Sequence, residues 1–406
     1  PTVTLREARQ RAAAVDPVAV TGRANADAAS WQRRSAWADL LTPQVTLGAG
    51  YTHFTTPFIN FGTFQPGQNS TSATVEARYQ LLGPGRFTTL RQASAALGEA
   101  NANETAARFR SELATDQAYY AVLSETELQR VTADRLKRAE EGHAAARSRV
   151  LAGSSVSTDS LQTLLELNRA RLAVIQRDSA LTVARLALGR RIGLTGPAAA
   201  APLDSTLPAE LPLTLEQATA ELREQGPDVV AARAGETRAS ATLWGQRERY
   251  LPDVSLSFQS GAFDSVFFPS AVKRSQVVVT ASFPLWDAGR REVQVAQARA
   301  QHDIAQAVRE ESERATAEQM AQAWNGYRTA QAALALAQTG VVVSTANYRI
   351  QEVRYREGAS TIIDLLAAQV ASGEAEATLV QTRYAARLSL ARIEALLGRR
   401  LFDDQN

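Results

Sequence analysis

The chain states its plan twice. Leu5-Arg6-Glu7-Ala8 returns as Leu215-Glu216-Gln217-Ala218, and Pro43-Gln44-Val45-Thr46-Leu47 returns as Pro252-Asp253-Val254-Ser255-Leu256. Gly85-Arg86 matches Gly289-Arg290, Gly153 and Asp159 match Gly358 and Asp364, and Leu188-Gly189-Arg190-Arg191 matches Leu397-Gly398-Arg399-Arg400. The spacing drifts only between 204 (289 against 85) and 210 (215 against 5). A period that long is not the short repeat of a solenoid. One structural half has been duplicated and fused, so a single folding plan must serve both.

Proline placement shows what that plan contains. No proline occurs from Gly85 to Gly196 or from Leu285 to Asn406. Both tracts are rich in Ala, Leu, Arg, Glu and Gln, which favour helix. Each is interrupted once, by Ala152-Gly153-Ser154-Ser155 and by Glu357-Gly358-Ala359-Ser360. Glycine suits a left-handed helix end, and the following hydroxyl residues suit the next helix start. Each tract therefore reads as an antiparallel helix pair. The outgoing helices, roughly 86–149 and 290–356, would each be on the order of 100 Å long, the regime of coiled coils. The return helices carry seams at steps of four and three: Leu161, Leu165, Asn168, Leu172, Ile175, Ser179, Thr182 and Leu186 in one, Leu366, Val370, Gly373, Ala377, Val380 and Tyr384 in the other. Such a stripe faces a partner helix, and its small and polar residues favour close packing or a wet side over a dry leucine core.

Between the helical tracts the period changes to two. Val45, Leu47, Ala49 and Tyr51 alternate with Thr46, Gly48, Gly50 and Thr52; Ala73, Val75, Ala77, Tyr79 and Leu81 alternate with Thr74, Glu76, Arg78 and Gln80. Val254, Leu256 and Phe258, and then Val277, Val279, Ala281, Phe283 and Leu285, do the same in the second half. This is the strand signal. In a membrane barrel it means apolar outward and polar inward. Phe-, Gly- and Pro-containing loops are expected at 54–72 and 261–274, with Phe54, Phe58, Phe61 and Phe64 either marking an outer loop or membrane rim or packing within the loop. The segments 5–39 and 215–249 read as helices leading into the strands.

The resulting division is a first repeat at 1–195 (helix, hairpin 43–83, helix pair 86–189), a Pro/Ala linker at 196–212, and a second repeat at 213–406 (helix, hairpin 252–286, helix pair 290–399). Four strands cannot close a barrel, and open edges are forbidden in hydrocarbon. Three chains would supply twelve strands, within the known range for such barrels; two would supply eight, a tight barrel filled by side chains. The long helices favour the larger ring.

Composition removes other classes. With no cysteine there are no disulfides, thiolate metal sites or cysteine nucleophiles. His53, His143 and His302 have no ligand spacing. A net charge of +2 argues against a concentrated nucleic-acid face. Gly83-Pro84-Gly85-Arg86 lacks the spacing and the Lys of a phosphate loop. The segment 329–348, the best candidate for a spanning helix, carries too many polar residues. No nucleophile, base or cofactor constellation marks an enzyme. A removed signal peptide would leave a chain beginning at Pro1, and so would trimming.

The duplicated order, with Pro43-Gln44-Val45 and Pro252-Asp253-Val254 opening strands and Leu285-Trp286-Asp287-Ala288-Gly289-Arg290 closing one, resembles the bacterial outer membrane efflux proteins, the TolC-like channels. Tyr355-Arg356-Glu357-Gly358-Ala359-Ser360-Thr361-Ile362-Ile363-Asp364 and the residues to Gln369 resemble that family's second periplasmic turn and gate helix. The resemblance covers nearly the whole chain. It implies a homotrimer with a twelve-stranded outer membrane barrel and a coiled-coil helical tunnel across the periplasm. The tunnel would open when a periplasmic adaptor and an inner-membrane pump dock. No cofactor or metal is implied.

Under that resemblance Asp364, Asp159 and Tyr355 become gate residues. Three copies of Asp364 near an axis would raise one another's pKa and attract cations. The family's second carboxylate reads Ala367 here, and its basic partner reads Ser360. A plainer role is open to both aspartates, since a carboxylate in a first helical turn favours the helix dipole. The turns Gly153, Ser154, Ser155 and Gly358, Ala359, Ser360 are expected to meet the adaptor. Glu76, Arg78 and Gln80 are expected to face the barrel lumen. The rival reading is a soluble coiled-coil scaffold or periplasmic adaptor, which leaves the four alternating strands without a role.

Overall fold

The computed structural model describes residues 1–60, 64–203, 210–264 and 272–402. The order is β1 (Thr2–Val3), α1 (Leu5–Val15), α2 (Pro17–Leu41), β2 (Gln44–Asn60), β3 (Gln65–Leu82), α3 (Thr88–Leu151), α4 (Ser157–Arg191), β4 (Ala199–Ala200), α5 (Leu215–Gln225), α6 (Pro227–Arg247), β5 (Asp253–Asp264), β6 (Val272–Ser282), α7 (Arg290–Arg356) and α8 (Ile362–Leu397). A single 3₁₀ turn, Glu248–Tyr250, follows α6. No described helix is long and apolar enough to cross a membrane.

Two expectations are corrected. The leading helices are each broken once, at Asp16-Pro17 and at Gly226-Pro227. Proline suits the first helical position and pushes the residue before it into extended backbone, which Asp16 (ψ 122°) and Gly226 (ψ 131°) both adopt. The first hairpin is also longer than its alternation suggests: β2 has 17 residues and β3 has 18. Phe54, Pro57 and Phe58 fall within β2 rather than in a loop. A register shift between His53 and Phe58 admits the proline, which an edge strand tolerates. Phe61, Phe267, Phe268 and Pro269 lie outside the described residues, as does part of the 196–212 linker.

The chain forms two compact units, and each draws on both halves of the sequence. One comprises Pro1–Arg23, Asn103–Val230 and Ser312–Asn406; the other comprises Ala24–Ala102 and Ala231–Glu311. The first unit has a core around Tyr119, Tyr120, Leu123, Leu181, Leu188, Val380 and Tyr384. A second cluster joins Leu222, Met320, Tyr327, Ile393 and Leu397. The N-terminal strand β1 pairs in parallel with β4, so the start of the chain is fastened beside the end of α4. Tyr119 locks this join: its hydroxyl donates to the Val3 carbonyl at 3.2 Å and the Ala201 carbonyl at 2.7 Å.

Burial pushes the Tyr119 hydroxyl up to about 12. The folded value lies above the ordinary one of 10.0, so the contribution is complete below that pH and is lost as pH rises through about 12. Tyr119→Phe should cost about 1–3 kcal/mol by taking the hydroxyl donor from the Ala201 carbonyl, since the Val3 carbonyl keeps the Ala201 N–H at 2.9 Å. It should also remove this alkaline step from a pH series of urea unfolding curves.

The same unit holds a set of charges away from water. Asp116 is fully buried. It accepts Arg9 Nε at 2.6 Å and Arg9 Nη2 at 2.8 Å, with Arg400 Nη1 at 3.6 Å. Arg400 also binds Glu394 at 2.9 Å and pairs with Glu112. Helices α1 and α3 and the end of α8 are thereby tied together.

The second unit contains one antiparallel sheet in the order β2-β3-β5-β6. The middle pairing, β3 with β5, joins the two halves of the sequence.

Candidate functional site

The two helix-to-helix turns are built alike. Gly153 (φ 72°) and Gly358 (φ 75°) are left-handed. After each, the next N–H reaches back five residues, Ser154 to the Arg149 carbonyl at 2.9 Å and Ala359 to the Arg354 carbonyl at 2.8 Å. This is the glycine-terminated helix end expected from the sequence. A Cβ at either glycine would meet nothing within 4 Å, so only backbone strain opposes substitution. Gly358→Ala should cost about 1–2 kcal/mol and speed protease cleavage at that turn by roughly tenfold.

Each turn places an aspartate at the third position of the returning helix. Asp364 forms a capping box: Thr361 Oγ1 accepts from the Asp364 N–H at 3.2 Å, and Asp364 Oδ2 accepts from the Thr361 N–H at 3.2 Å. The same carboxylate accepts from the Thr361 hydroxyl at 2.7 Å and the Ser360 hydroxyl at 3.3 Å. The Thr361 hydroxyl, then the Thr361 N–H, hold the carboxyl below its ordinary range. The folded value is the lower one, so this contribution is complete above the ordinary 3.8 and is lost as pH falls through the depressed value. Within one chain the aspartate is thus fitted to stay charged. In the first repeat, Val156 stands at the cap position and Asp159 accepts from Ser155 instead.

Tyr355 takes a different partner. Arg149, at the end of α3, donates to the carbonyls of Tyr355 at 3.1 Å and Arg356 at 2.8 Å. Its guanidinium lies 4.9 Å from the Tyr355 ring centroid. One cation thereby satisfies the last carbonyls of α7 and clasps the two helix pairs together near their turns. The Tyr355 hydroxyl is buried with no hydrogen-bond partner, and no hydrogen bond joins it to Asp159 or Asp364. The sequence reading missed Arg149. Its signal was modest: a cation four residues before the turn glycine, repeated as Arg354. It also missed exposed Leu151, Val156 and Ile363 beside the turns.

The sheet in the other unit separates its chemistry by face. Register aligns Val45, Ala77, Phe258 and Val277 in one row, and Tyr79, Leu256 and Val279 in another. The next face holds the row Thr46, Glu76, Gln259 and Gln276, beside the row Gln44, Arg78, Ser257 and Val278, where one valine interrupts an otherwise polar set. Glu76, Arg78 and Gln80 therefore share one polar face. The apolar face is not covered: Val45, Leu47, Val277 and Val279 are 65–79% exposed. Its hydroxyl pair, Ser260 and Ser275, hydrogen-bond each other at 3.0 Å. From Val45 to Tyr51 the face spans about 20 Å, close to the height of the band of an outer membrane strand; its rows at Val45 and Tyr79 are apolar, while Lys273 lies in the row of Ala49 and Asp264 in the row of Tyr51.

The two return-helix seams meet opposite fates. In α8, Gly373, Val380 and Tyr384 are buried within the chain. In α4, the buried stripe is Thr163, Glu166, Leu167, Ala170, Leu181 and Leu188, while Leu161, Leu165, Leu172, Ile175 and Leu186 stay exposed.

The sequence profile of the outer membrane efflux proteins matches residues 8–194 and 218–399. The chain belongs to that family. Its matches fall on both halves, as the duplication requires, and the family is one of channels rather than enzymes. Among solved structures it is similar to the outer membrane protein VceC of Vibrio cholerae (TM-score 0.81, 20% identity, 98% of this chain and 97% of that one). It is similar to a membrane protein of Pseudomonas aeruginosa (TM-score 0.83, 20% identity, 99% and 91%). It is also similar to the open-state MtrE outer membrane channel of Neisseria gonorrhoeae (TM-score 0.80, 19% identity, 99% and 90%). No curated protein sequence matches the chain. Among the described residues no group of His, Cys, Asp and Glu could hold a metal ion.

Proposed function

We propose that this efflux-family chain is the outer membrane channel of a tripartite efflux or type I secretion system. Three copies close a twelve-stranded barrel, with the repeats 1–195 and 213–406 each giving one hairpin and one helix pair. The barrel continues as a helical tunnel across the periplasm. It is a passive duct; the energy comes from an inner-membrane pump reached through a periplasmic adaptor.

The observation that carries this reading is the sheet with one bare apolar face, one polar face and two unpaired edges. In water, such a face would be an aggregation surface. In a membrane the apolar face meets lipid, and further chains satisfy the edges. Glu76, Arg78 and Gln80 then face the lumen. The exposed α4 seam fits the same assembly, because a second copy of the chain can cover it. Gly153, Ser154, Ser155, Gly358, Ala359 and Ser360 form tips for the adaptor, with Leu151 and Val156 as apolar contacts. Asp364, Asp159 and Tyr355 serve the gate, and the Arg149 clasp keeps the two helix pairs of one chain in step.

The test is an electrophoretic one. Protein extracted in detergent and left unheated should migrate as a trimer and collapse to a monomer on boiling. A monomer that stays soluble without detergent would overturn the proposal in favour of a scaffold.

A further inference from the structure

We infer that the helix-side end of the sheet is a collar for anionic phospholipid, in which guanidinium groups held against indole rings take the lipid phosphates. The inference rests on the channel reading above and adds the chemistry of the lipid it selects.

The chain has five tryptophans. Trp31, Trp37, Trp244 and Trp286 all belong to the unit that contains the sheet, and they are 65, 44, 47 and 83% exposed. The fifth, Trp324, packs against the core of the other unit. Register puts Gln44, Leu82, Asp253 and Ser282 at one end of the sheet, so α2, α3, α6 and α7 all join it there. Trp244 is in the last turn of α6 and Arg91 in the first turn of α3. Tyr79, from the apolar face, donates its hydroxyl to the Leu40 carbonyl at 3.1 Å, which seats the end of α2 beside that face. The exposed indoles therefore begin where the bare apolar face ends. Indoles favour that level of a bilayer because one part of the ring is apolar and its N–H can stay wet.

The arginines make the collar selective. Arg34 lies 4.6 Å from the Trp31 ring, and Arg91 and Arg247 lie 5.8 and 5.3 Å from the Trp244 ring. All three are exposed, and none forms an ion pair among the described residues. A guanidinium stacked on an indole keeps its full charge and its outward N–H donors. Glu248, next to Arg247, is occupied with the Thr88 hydroxyl and the Gly85 N–H, so the matching acceptor for these guanidinium groups at a membrane surface is a lipid phosphate, which guanidinium can bind through two parallel hydrogen bonds. A zwitterionic headgroup offers its phosphate next to a cation. An anionic headgroup does not, so it should be preferred.

The tryptophans are also the probe. The full-length protein would be reconstituted in vesicles containing either phosphatidylglycerol or phosphatidylcholine with brominated tails, and quenching of its fluorescence measured. Both lipids should quench, and competition between them should favour phosphatidylglycerol by about fivefold per effective arginine. The combined variant Arg34→Gln, Arg91→Gln, Arg247→Gln should lose the preference while phosphatidylcholine still quenches. High salt should weaken the preference in the native protein, which provides a second readout should the variant fail to assemble. Equal competition by the two lipids in the native protein would overturn the collar while leaving the channel reading intact. Absence of quenching by either lipid would overturn both.

Discussion

Replacing Asp116 with alanine is expected to remove about 3–5 kcal/mol of stability, because the partners of a buried ion pair are left charged and out of water. Arg9 is the main casualty, since both of its contacts with Asp116 are under 3 Å and only 10% of its side chain is exposed. Arg400 keeps Glu394 and Glu112, so the loss should fall mostly on the attachment of α1. Urea unfolding followed by far-UV circular dichroism measures the total. Amide exchange should show α1 and β1 opening first. The contrasting control is Arg110→Ala. Its bond to Asp228 is as short, 2.6 Å, but both side chains are more than half exposed, so the cost should stay within about 1 kcal/mol. Equal effects of the two changes would mean that burial does not set the strength of these pairs.

The paired substitution Leu172→Glu and Ile175→Glu should abolish the proposed trimer while sparing the fold of the single chain. These side chains are 55 and 64% exposed in one chain, so their removal takes nothing from its core. In the proposed trimer they would replace the two apolar side chains between Asn168 and Ser179 with two unpaired carboxylates, a cost of several kcal/mol at each of three equivalent contacts. On unheated gels the trimer band should vanish. Circular dichroism should retain its helical signal. Persistence of the trimer would show that the α4 seam faces solvent or cargo rather than a second copy.

These two sites show what a sequence can and cannot disclose here. The α4 seam is visible as a heptad in Leu161, Leu165, Leu172 and Ile175, because periodicity is a local property. Its fate is not visible: the equivalent stripe in α8, with Gly373, Val380 and Tyr384, is buried inside the chain, and the α4 stripe is not. Burial depends on which neighbour each helix receives, and the duplication makes the two look alike. Asp116 gave no signal at all. It is one carboxylate among many on a long helix, and its partners lie 107 residues earlier, at Arg9, and near the end of the chain, at Arg400.

The repeated Leu-Gly-Arg-Arg run illustrates the same limit at one residue. Gly398 is the left-handed end of α8, with φ 70°. Its counterpart Gly189 is inside α4, where a Cβ would fall 2.0 Å from the Gly196 carbonyl oxygen. In the first repeat the left-handed position moves on to Gly193, with φ 78°. Identical letters therefore mark a close approach in one half and a helix stop in the other. By contrast, Gly153 and Gly358 do the same work in both halves, because a turn between antiparallel helices is fixed by local backbone geometry. Arg149 falls between these cases. Its place relative to the glycine is local, but its partners on α7 follow from the tertiary arrangement.

The aspartates at the tips show why site roles are harder to read than elements. The sequence supports two roles for Asp364, a gate charge and a helix-capping carboxylate. The capping role is present in the single chain as four hydrogen-bond contacts with Thr361 and Ser360. A gate role would come from the meeting of three copies, and it would work against the contacts that hold the carboxyl charged.

Single-channel recording in a planar lipid bilayer tests the central claim most directly. Purified protein should give discrete, cation-selective conductance steps, and Asp364→Ala should enlarge them or weaken the selectivity. Silence from both the native protein and the variant, with protein shown to be in the bilayer, would contradict a pore and leave the scaffold reading in its place.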